Sequence, residues 1–418
     1  MKRSVAAIVF ALLLAGAWIP ASHATSVLAA DSLSPKDRLD VFETVWKTVN
    51  DGYYDSSFKG VDWMAVHERY RPRVEAAKTD AEFYFLVRRM LQELHDTHTS
   101  FAAPNNQPVS SGLSVNEVEG KVVVVRVEPD SEAARAGAQA GMIVRTFGGK
   151  PVEERIAQLR AALGHYSNAQ ADQLVLYQAF LGGKIDEPLR LGLERADGTQ
   201  LEAVLARRLV SRPSPALISQ RLPSGFHYLK IVQTLVSPVD DQFKNEFATF
   251  KDAPGLIIDL RSLTGGDIHD AGLKIANYFF PTKVPFGRFV NRSGETPFFR
   301  TLSAGGGGGQ IYKGSVVILV DETTQSAGEV FASGFQENGR ALIIGQQSCG
   351  CVVNNVRGKK VKGGGTFNYS NLGYISGKGH KLEGAGVMPD KKVPLTIAAL
   401  RQGRDVILEE AERTLKSR

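Results

Sequence analysis

Cysteine is nearly missing from this chain of 418 residues: only Cys349 and Cys351 occur. A pair two positions apart closes almost no loop, so no disulfide framework staples the fold, and stability has to come from buried apolar surface. The same two residues lack the second Cys or His pair of a zinc signature, so no metal is expected. Long runs of one charge are also missing. The 50 basic and 44 acidic residues are interspersed, and a net charge of +6 without a basic stripe argues against a nucleic-acid partner. Five consecutive glycines, Gly305 to Gly309, lack the Lys-Ser/Thr ending of a phosphate loop and read as a surface loop. No cofactor is expected.

The longest apolar stretch, Val5 to Ile19, falls short of the roughly 20 residues that a membrane-spanning helix needs. It follows Lys2 and Arg3 and gives way to Pro20, Ala21, Ser22 and Ala24, the pattern of a secretory signal peptide. The expected leader is therefore 1–24, with cleavage after Ala29 or Ala30 as the alternative. Periplasmic or secreted location follows, with no membrane span once the leader is removed. The remaining chain, 43% apolar and 22% charged overall, has the composition of a globular protein large enough for two or three domains.

Periodicity divides it further. Val41, Val45, Trp46 and Val49 recur at helical spacing, as do Phe85, Leu86, Met90 and Leu94, which predicts a helical region over 32–103. Short strand-like runs at Leu113 to Val115, Val122 to Val127, Leu189 to Leu193 and Leu201 to Ala206 mark a β-rich unit over 109–210. From Phe226 the pattern alternates strand and helix, with apolar runs at Gly255 to Leu260 and Ser315 to Val320, and predicts an α/β core over 211–400 followed by a helix over 401–418. The fold class is thus α/β and α+β, in several domains.

Three groups of residues carry chemistry. Val317 to Val320 runs through Asp321-Glu322-Thr323-Thr324-Gln325 into Ser326-Ala327-Gly328-Glu329, which places one serine at a strand-to-helix turn facing backbone amides. Leu256 to Leu260 leads into Arg261-Ser262-Leu263-Thr264-Gly265-Gly266, and Leu382-Glu383-Gly384-Ala385-Gly386-Val387-Met388-Pro389-Asp390 comes late in the chain. Taken alone, such a serine is more often a helix cap than a nucleophile. In their order along the chain the three blocks resemble those of the tail-specific (C-terminal processing) serine peptidases. That resemblance implies a crotonase-like α/β peptidase core, with Ser326 as nucleophile and the amides of Ala327 and of Gly265 or Gly266 as oxyanion donors. Leu263 stands where the family usually has asparagine.

The middle unit resembles a PDZ domain, through Ser111-Gly112-Leu113-Ser114-Val115, the stretch Pro129-Asp130-Ser131-Glu132-Ala133-Ala134-Arg135-Ala136-Gly137, and Gly141-Met142-Ile143-Val144 with Gly148-Gly149-Lys150-Pro151-Val152 behind it. The resemblance implies capture of a peptide C-terminus as an added strand along Gly112, Leu113, Ser114 and Val115. The helical stretch from Ile156 to Gly183 is longer than such a domain needs.

Two branches of the family differ in their base. One uses a lysine twenty-five positions after the serine; here Cys351 stands at that position, and Lys359 and Lys360 lie farther on. The other branch, similar to the tricorn core protease, uses a histidine in a D-x-H-T block, matched by Asp96-Thr97-His98-Thr99. By that resemblance His98 is the general base, with Thr97 relaying a hydrogen bond from Glu383 to hold the imidazole, and His95 as the fallback base. The resemblance further implies protein or peptide substrates with free C-termini, and leaves room for an activating partner protein. The competing expectation is an inactive relative that carries apolar ligands or peptides.

Overall fold

The computed structural model describes residues 33–104, 107–210, 215–298 and 300–418. The leader and its cleavage positions lie outside the described residues. No helix among the described residues is long and apolar enough to cross a membrane.

The first region is three helices, Pro35–Gly52, Trp63–Ala76 and Asp80–Gln92. Two of them start in capping boxes, Ser34 with Asp37 and Thr79 with Glu82, which satisfy orphan amides at the helix starts. Val41, Phe42, Val45 and Val49 recur every three or four residues and pack on Phe83, Val87 and Met90 in one cluster. After a turn at 93–99 the chain enters the strand Ser100–Ala102, which pairs antiparallel with Thr366–Ile375, Ser100 opposite Asn368. The helical region is thereby stitched into the last domain, and Phe367 belongs to its core.

The middle unit is a sheet in the order Leu113–Val118, Lys121–Val127, Ile143–Phe147, Leu189–Glu194, Gln200–Leu205. Leu113–Val118 is one of its two edge strands. The long stretch between the third and fourth strands forms two helices, Val152–Leu163 and Ala169–Leu181. The second lies beside the edge strand, with Gln173 Nε2 donating to Asn116 Oδ1 across the gap at 2.8 Å.

The last region holds a six-stranded sheet in which His227–Ile231, Gly255–Asp259, Ser315–Val320 and Ala341–Gly345 run parallel. Its two central strands are buried almost throughout, as parallel strands covered on both faces must be. Alternate residues face opposite layers. Leu256, Ile258, Val316 and Ile318 meet the helix Ala327–Glu337 and a cluster of phenylalanines, while Ile257, Val317 and Leu319 meet Ile407, Ala411 and Leu415 of the helix Val406–Lys416. A second sheet carries Val284–Val290, Thr301–Ala304, Val353–Lys360 and Thr366–Ile375.

Within the terminal stretch 401–418 the helix is Val406–Lys416, which covers the sheet. A separate short helix before it, Ile397–Arg401, docks into the middle unit, where Ile397 packs with Val118, Val123 and Ile143. Arg404 and Gly403, in a positive-φ turn, separate them.

Candidate active site

Asp259 and Leu319 are register partners in neighbouring parallel strands, so the loops leaving the two strands emerge side by side. One loop carries Gly265 and Gly266; the other ends at Ser326. A Cβ built on Gly265 would stand 3.2 Å from Ser326 Cβ and 3.7 Å from its Oγ, so this backbone borders the serine directly. Gly265 has φ +112°, a conformation that side chains rarely adopt. Among the described residues the amides of Gly265, Gly266 and Ala327 donate to no backbone carbonyl. Of the glycine pair, Gly265 is the one that borders Ser326, whereas Gly266 packs against the Leu235 backbone.

Ser326 is the N-cap residue of Ala327–Glu337, with φ 54° and ψ −116°. A non-glycine residue there stores on the order of 1–3 kcal/mol of strain and needs surroundings that hold it. Two acceptors do so: its amide donates to Cys351 O at 3.1 Å and to Glu329 Oε2 at 3.0 Å. Glu329, fully buried, also accepts from the amides of Gly350 (2.7 Å) and Cys351 (3.0 Å) and from Ser348 Oγ (2.6 Å). One carboxylate therefore ties the serine turn to the 348–351 loop. Burial pushes its pKa up to about 7 against the pull of those four donors.

Cys349 and Cys351 are joined as a disulfide, and both are completely buried. Cys351, at the position where one branch of the resemblance has lysine, therefore has no thiol to offer as a base. The expectation that a two-residue separation cannot staple a domain stands, since the bond closes only this loop. The loop is also clasped from the middle unit: Asn168 Nδ2 donates to Cys349 O (2.9 Å) and Gly384 O (3.0 Å), and Ser167 Oγ to Gly350 O (3.3 Å).

A cavity of about 290 Å³ opens on Ser326 and Ala327 and is walled by the strand Val353–Lys360. His98 and Glu383 do not line it. Both are instead bonded to its wall: Asn355 Nδ2 donates to His98 O at 3.3 Å, and the Val352 amide donates to Glu383 Oε2 at 2.8 Å. Buried Asp96 sets the turn that carries the histidine, accepting from the His98 amide (2.8 Å), Thr99 Oγ1 (2.6 Å) and Ser370 Oγ (2.6 Å). Thr97 Oγ1 lies 3.3 Å from His98 Nδ1. Nε2 has no partner among the described residues. Burial lowers the His98 pKa, the Asp96 charge opposes that, and Arg357 of the cavity wall adds to it.

The relay expected from Glu383 through Thr97 is made only in its second half. Glu383 Oε1 pairs with Lys59 Nζ at 3.2 Å, and its hydrogen bonds go to Lys59 and Val352 rather than to Thr97. Burial, reinforced by the Asp96 charge, pushes its pKa up to about 7 although Lys59 opposes this. Lys59, at φ 57°, also donates to His95 O at 2.8 Å. His95 itself is taken up with the middle unit, its Nδ1 2.7 Å from His165 O. Lys359 is bonded to Thr48 Oγ1 on the exposed surface, and His380 sits on an exposed turn against Glu337. Among the described residues no three His, Cys, Asp or Glu side chains converge as metal ligands.

Sequence reasoning did not reach Lys59, whose bonds to His95 O and Glu383 join distant segments, nor Arg300 and Arg357, which the fold brings to the cavity lining. The role of Glu329 was closer to hand, since Ser-x-x-Glu at a helix start is the capping-box pattern. In the middle unit Leu113 and Val115 point into the core, Ser114 is half-buried, and Gly112 takes φ +76°.

Residues 226–393 match the model of peptidase family S41, and residues 34–92 match that of the tricorn protease C1 domain. Among curated proteins, the carboxyl-terminal-processing protease of a Synechocystis species is 24% identical over 359 residues, 83% of this chain and 79% of that protein. A carboxyl-terminal-processing protease of a Picosynechococcus species is 23% identical over 363 residues, covering 86% and 84%. Among solved structures, the photosystem II D1 C-terminal processing protease superposes with a TM-score of 0.60 at 22% identity, over 90% of this chain and 97% of that one. Mature CPAF superposes with a TM-score of 0.69 at 14% identity, over 91% and 97%. These superpositions speak to the fold alone.

Proposed function

The chain belongs to peptidase family S41 and is a serine-type peptidase, and from that premise we propose that Ser326 is its nucleophile and His98 its general base. The observation that carries this reading is the setting of Ser326: a strained strand-to-helix turn, bordered by unengaged amides, at the mouth of the cavity. A neutral imidazole takes the serine proton on Nε2 while Nδ1–H donates to Thr97 Oγ1. The Oγ attacks the peptide carbonyl, and the oxyanion settles on the amides of Ala327 and of Gly265 or Gly266. His98 then returns the proton to the leaving amine, and water repeats the sequence on the acyl-enzyme. Desolvation and the charge of Arg357 favour the neutral imidazole this cycle starts from. Glu383 acts from behind the wall, fixing the Val352 amide and, through Lys59, the carbonyl of His95 next to Asp96.

The substrates in this reading are exported proteins or peptides held by their C-terminal tails. The middle unit serves as a PDZ-type module over 109–210, taking the tail along its edge strand Leu113–Val118 with the Gly112 loop at the carboxylate. The clasp of Asn168 and Ser167 on the 349–350 loop is a direct route from that module, or from an activating partner seated on it, to the serine turn. A leader over 1–24 directs the chain to the periplasm or outside the cell. The test is an active-site serine label: a fluorophosphonate should modify the mature protein once, at Ser326, and Ser326→Ala should lose both labelling and peptide hydrolysis, by on the order of 10³ to 10⁶ in rate. Labelling elsewhere, or hydrolysis retained by Ser326→Ala, refutes the assignment.

A further inference from the structure

The cavity at Ser326 has a chemical character of its own. Its lining includes apolar Phe289, Val330 and Val352, and two arginines, Arg300 and Arg357, line it with them. Buried arginines elsewhere have their guanidiniums engaged, Arg261 by Asp259 and Asp405 and Arg340 by the carbonyls of Phe279, Tyr312 and Gly314. Among the described residues neither Arg300 nor Arg357 has a carboxylate partner; Arg357 Nε only meets Asn355 Oδ1, at 3.1 Å. Their neighbour His269 has a buried Nε2 with no hydrogen-bond partner. Asp267 is the carboxylate on the lining, and its Oδ1 is taken by the His269 amide at 2.8 Å.

Two unpaired guanidiniums beside apolar lining residues are complementary to a planar anion on an otherwise apolar group, because each fork can present paired N–H donors to a carboxylate. Resting on the peptidase reading above, we infer that the cavity is a specificity subsite for a substrate residue bearing a carboxylate. Arg300 and Arg357 bind the carboxylate and the apolar part of the lining takes the rest of the residue. The carboxylate comes either from an Asp or Glu side chain next to the cleaved bond or from a free C-terminus one residue beyond it. Both sources present the same group to the same two arginines.

Binding to the Ser326→Ala protein separates them without turnover. Four fluorescent peptides are compared by anisotropy at low ionic strength: one with an internal Glu and an amidated end, its Gln twin, a neutral peptide with a free C-terminus, and that peptide amidated. At least one carboxylate peptide should bind about tenfold more tightly than its neutral twin, and which pair shows the difference names the source. Adding Arg300→Gln or Arg357→Gln should bring that ratio toward one, with circular dichroism unchanged. Equal affinities within both pairs, no measurable binding at millimolar peptide, or a preference that survives both arginine changes overturns the inference. Fluorophosphonate labelling of the wild-type protein is scored separately. Labelled Ser326 without a carboxylate preference sinks the subsite alone, and a carboxylate preference without labelling sinks the nucleophile assignment alone.

Discussion

Replacing Gly265 by alanine probes the serine site through a single atom. The new Cβ would sit 3.2 Å from Ser326 Cβ and 3.7 Å from its Oγ, and φ +112° is strained for any residue with a side chain. The strained backbone costs on the order of 1–3 kcal/mol if it holds. If instead it relaxes toward negative φ, the amides of Gly265 and Gly266 turn away from Ser326, and loss of one oxyanion donor costs about 10² to 10³ in turnover. Either route predicts a fall in kcat of at least about a hundredfold, because the methyl also crowds the nucleophile. Gly308→Ala is the control: φ is +68° there and nothing lies within 4 Å of the added Cβ, so it should cost about 1 kcal/mol of stability and leave turnover alone. Steady-state kinetics on an internally quenched peptide, with urea unfolding of both variants, measures the two effects apart. A Gly265→Ala enzyme with wild-type kcat refutes the placement of this backbone at the reacting oxygen.

The pH dependence of kcat/KM should show two rises. His98, with its pKa lowered by burial, becomes a base below the ordinary histidine value of about 6.5, and Glu383 and Glu329, both raised to about 7, gain their charges later; Glu383→Gln should shrink the upper step and leave the lower one in place. The raised Glu383 also makes its contribution to stability fully present below its unfolded value and lost as pH rises toward 7, so the wild-type fold should gain less than the Gln variant between pH 5 and 8 in thermal melts. His98→Ala should be nearly as damaging as loss of the serine, whereas Cys351→Ala should keep at least half the rate, because what this loop lends to Ser326 is a backbone carbonyl; the reverse order in a hydrolysis assay would overturn the choice of base. Glu329→Gln should slow fluorophosphonate labelling at least tenfold. Either orientation of the amide turns its NH₂ toward two of the four donors that Glu329 accepts, and an unchanged labelling rate would show that the serine turn holds itself.

The serine turn was legible because its determinants are local: an all-apolar strand, a Ser-x-x-Glu helix start and a glycine pair after a second apolar strand are short patterns whose geometry is fixed within about ten residues. The helices of the first region and the strands of the middle unit were legible for the same reason, from periods of 3.6 and 2. Tertiary packing alone decided the rest. Lys59 meets Glu383 across 324 positions, and no spacing rule reaches that far. The turn with His98 is placed by the strand Thr366–Ile375, through Asp96 on Ser370 and Ser100 opposite Asn368, so the first region and the last share one sheet that neither sequence segment announces. Glu383 was singled out by its motif, but a motif specifies a residue and not its partner. Which donors surround a buried carboxylate depends on every element packed against it, and here those were the amide of Val352 and the ammonium of Lys59, with Thr97 left to the imidazole.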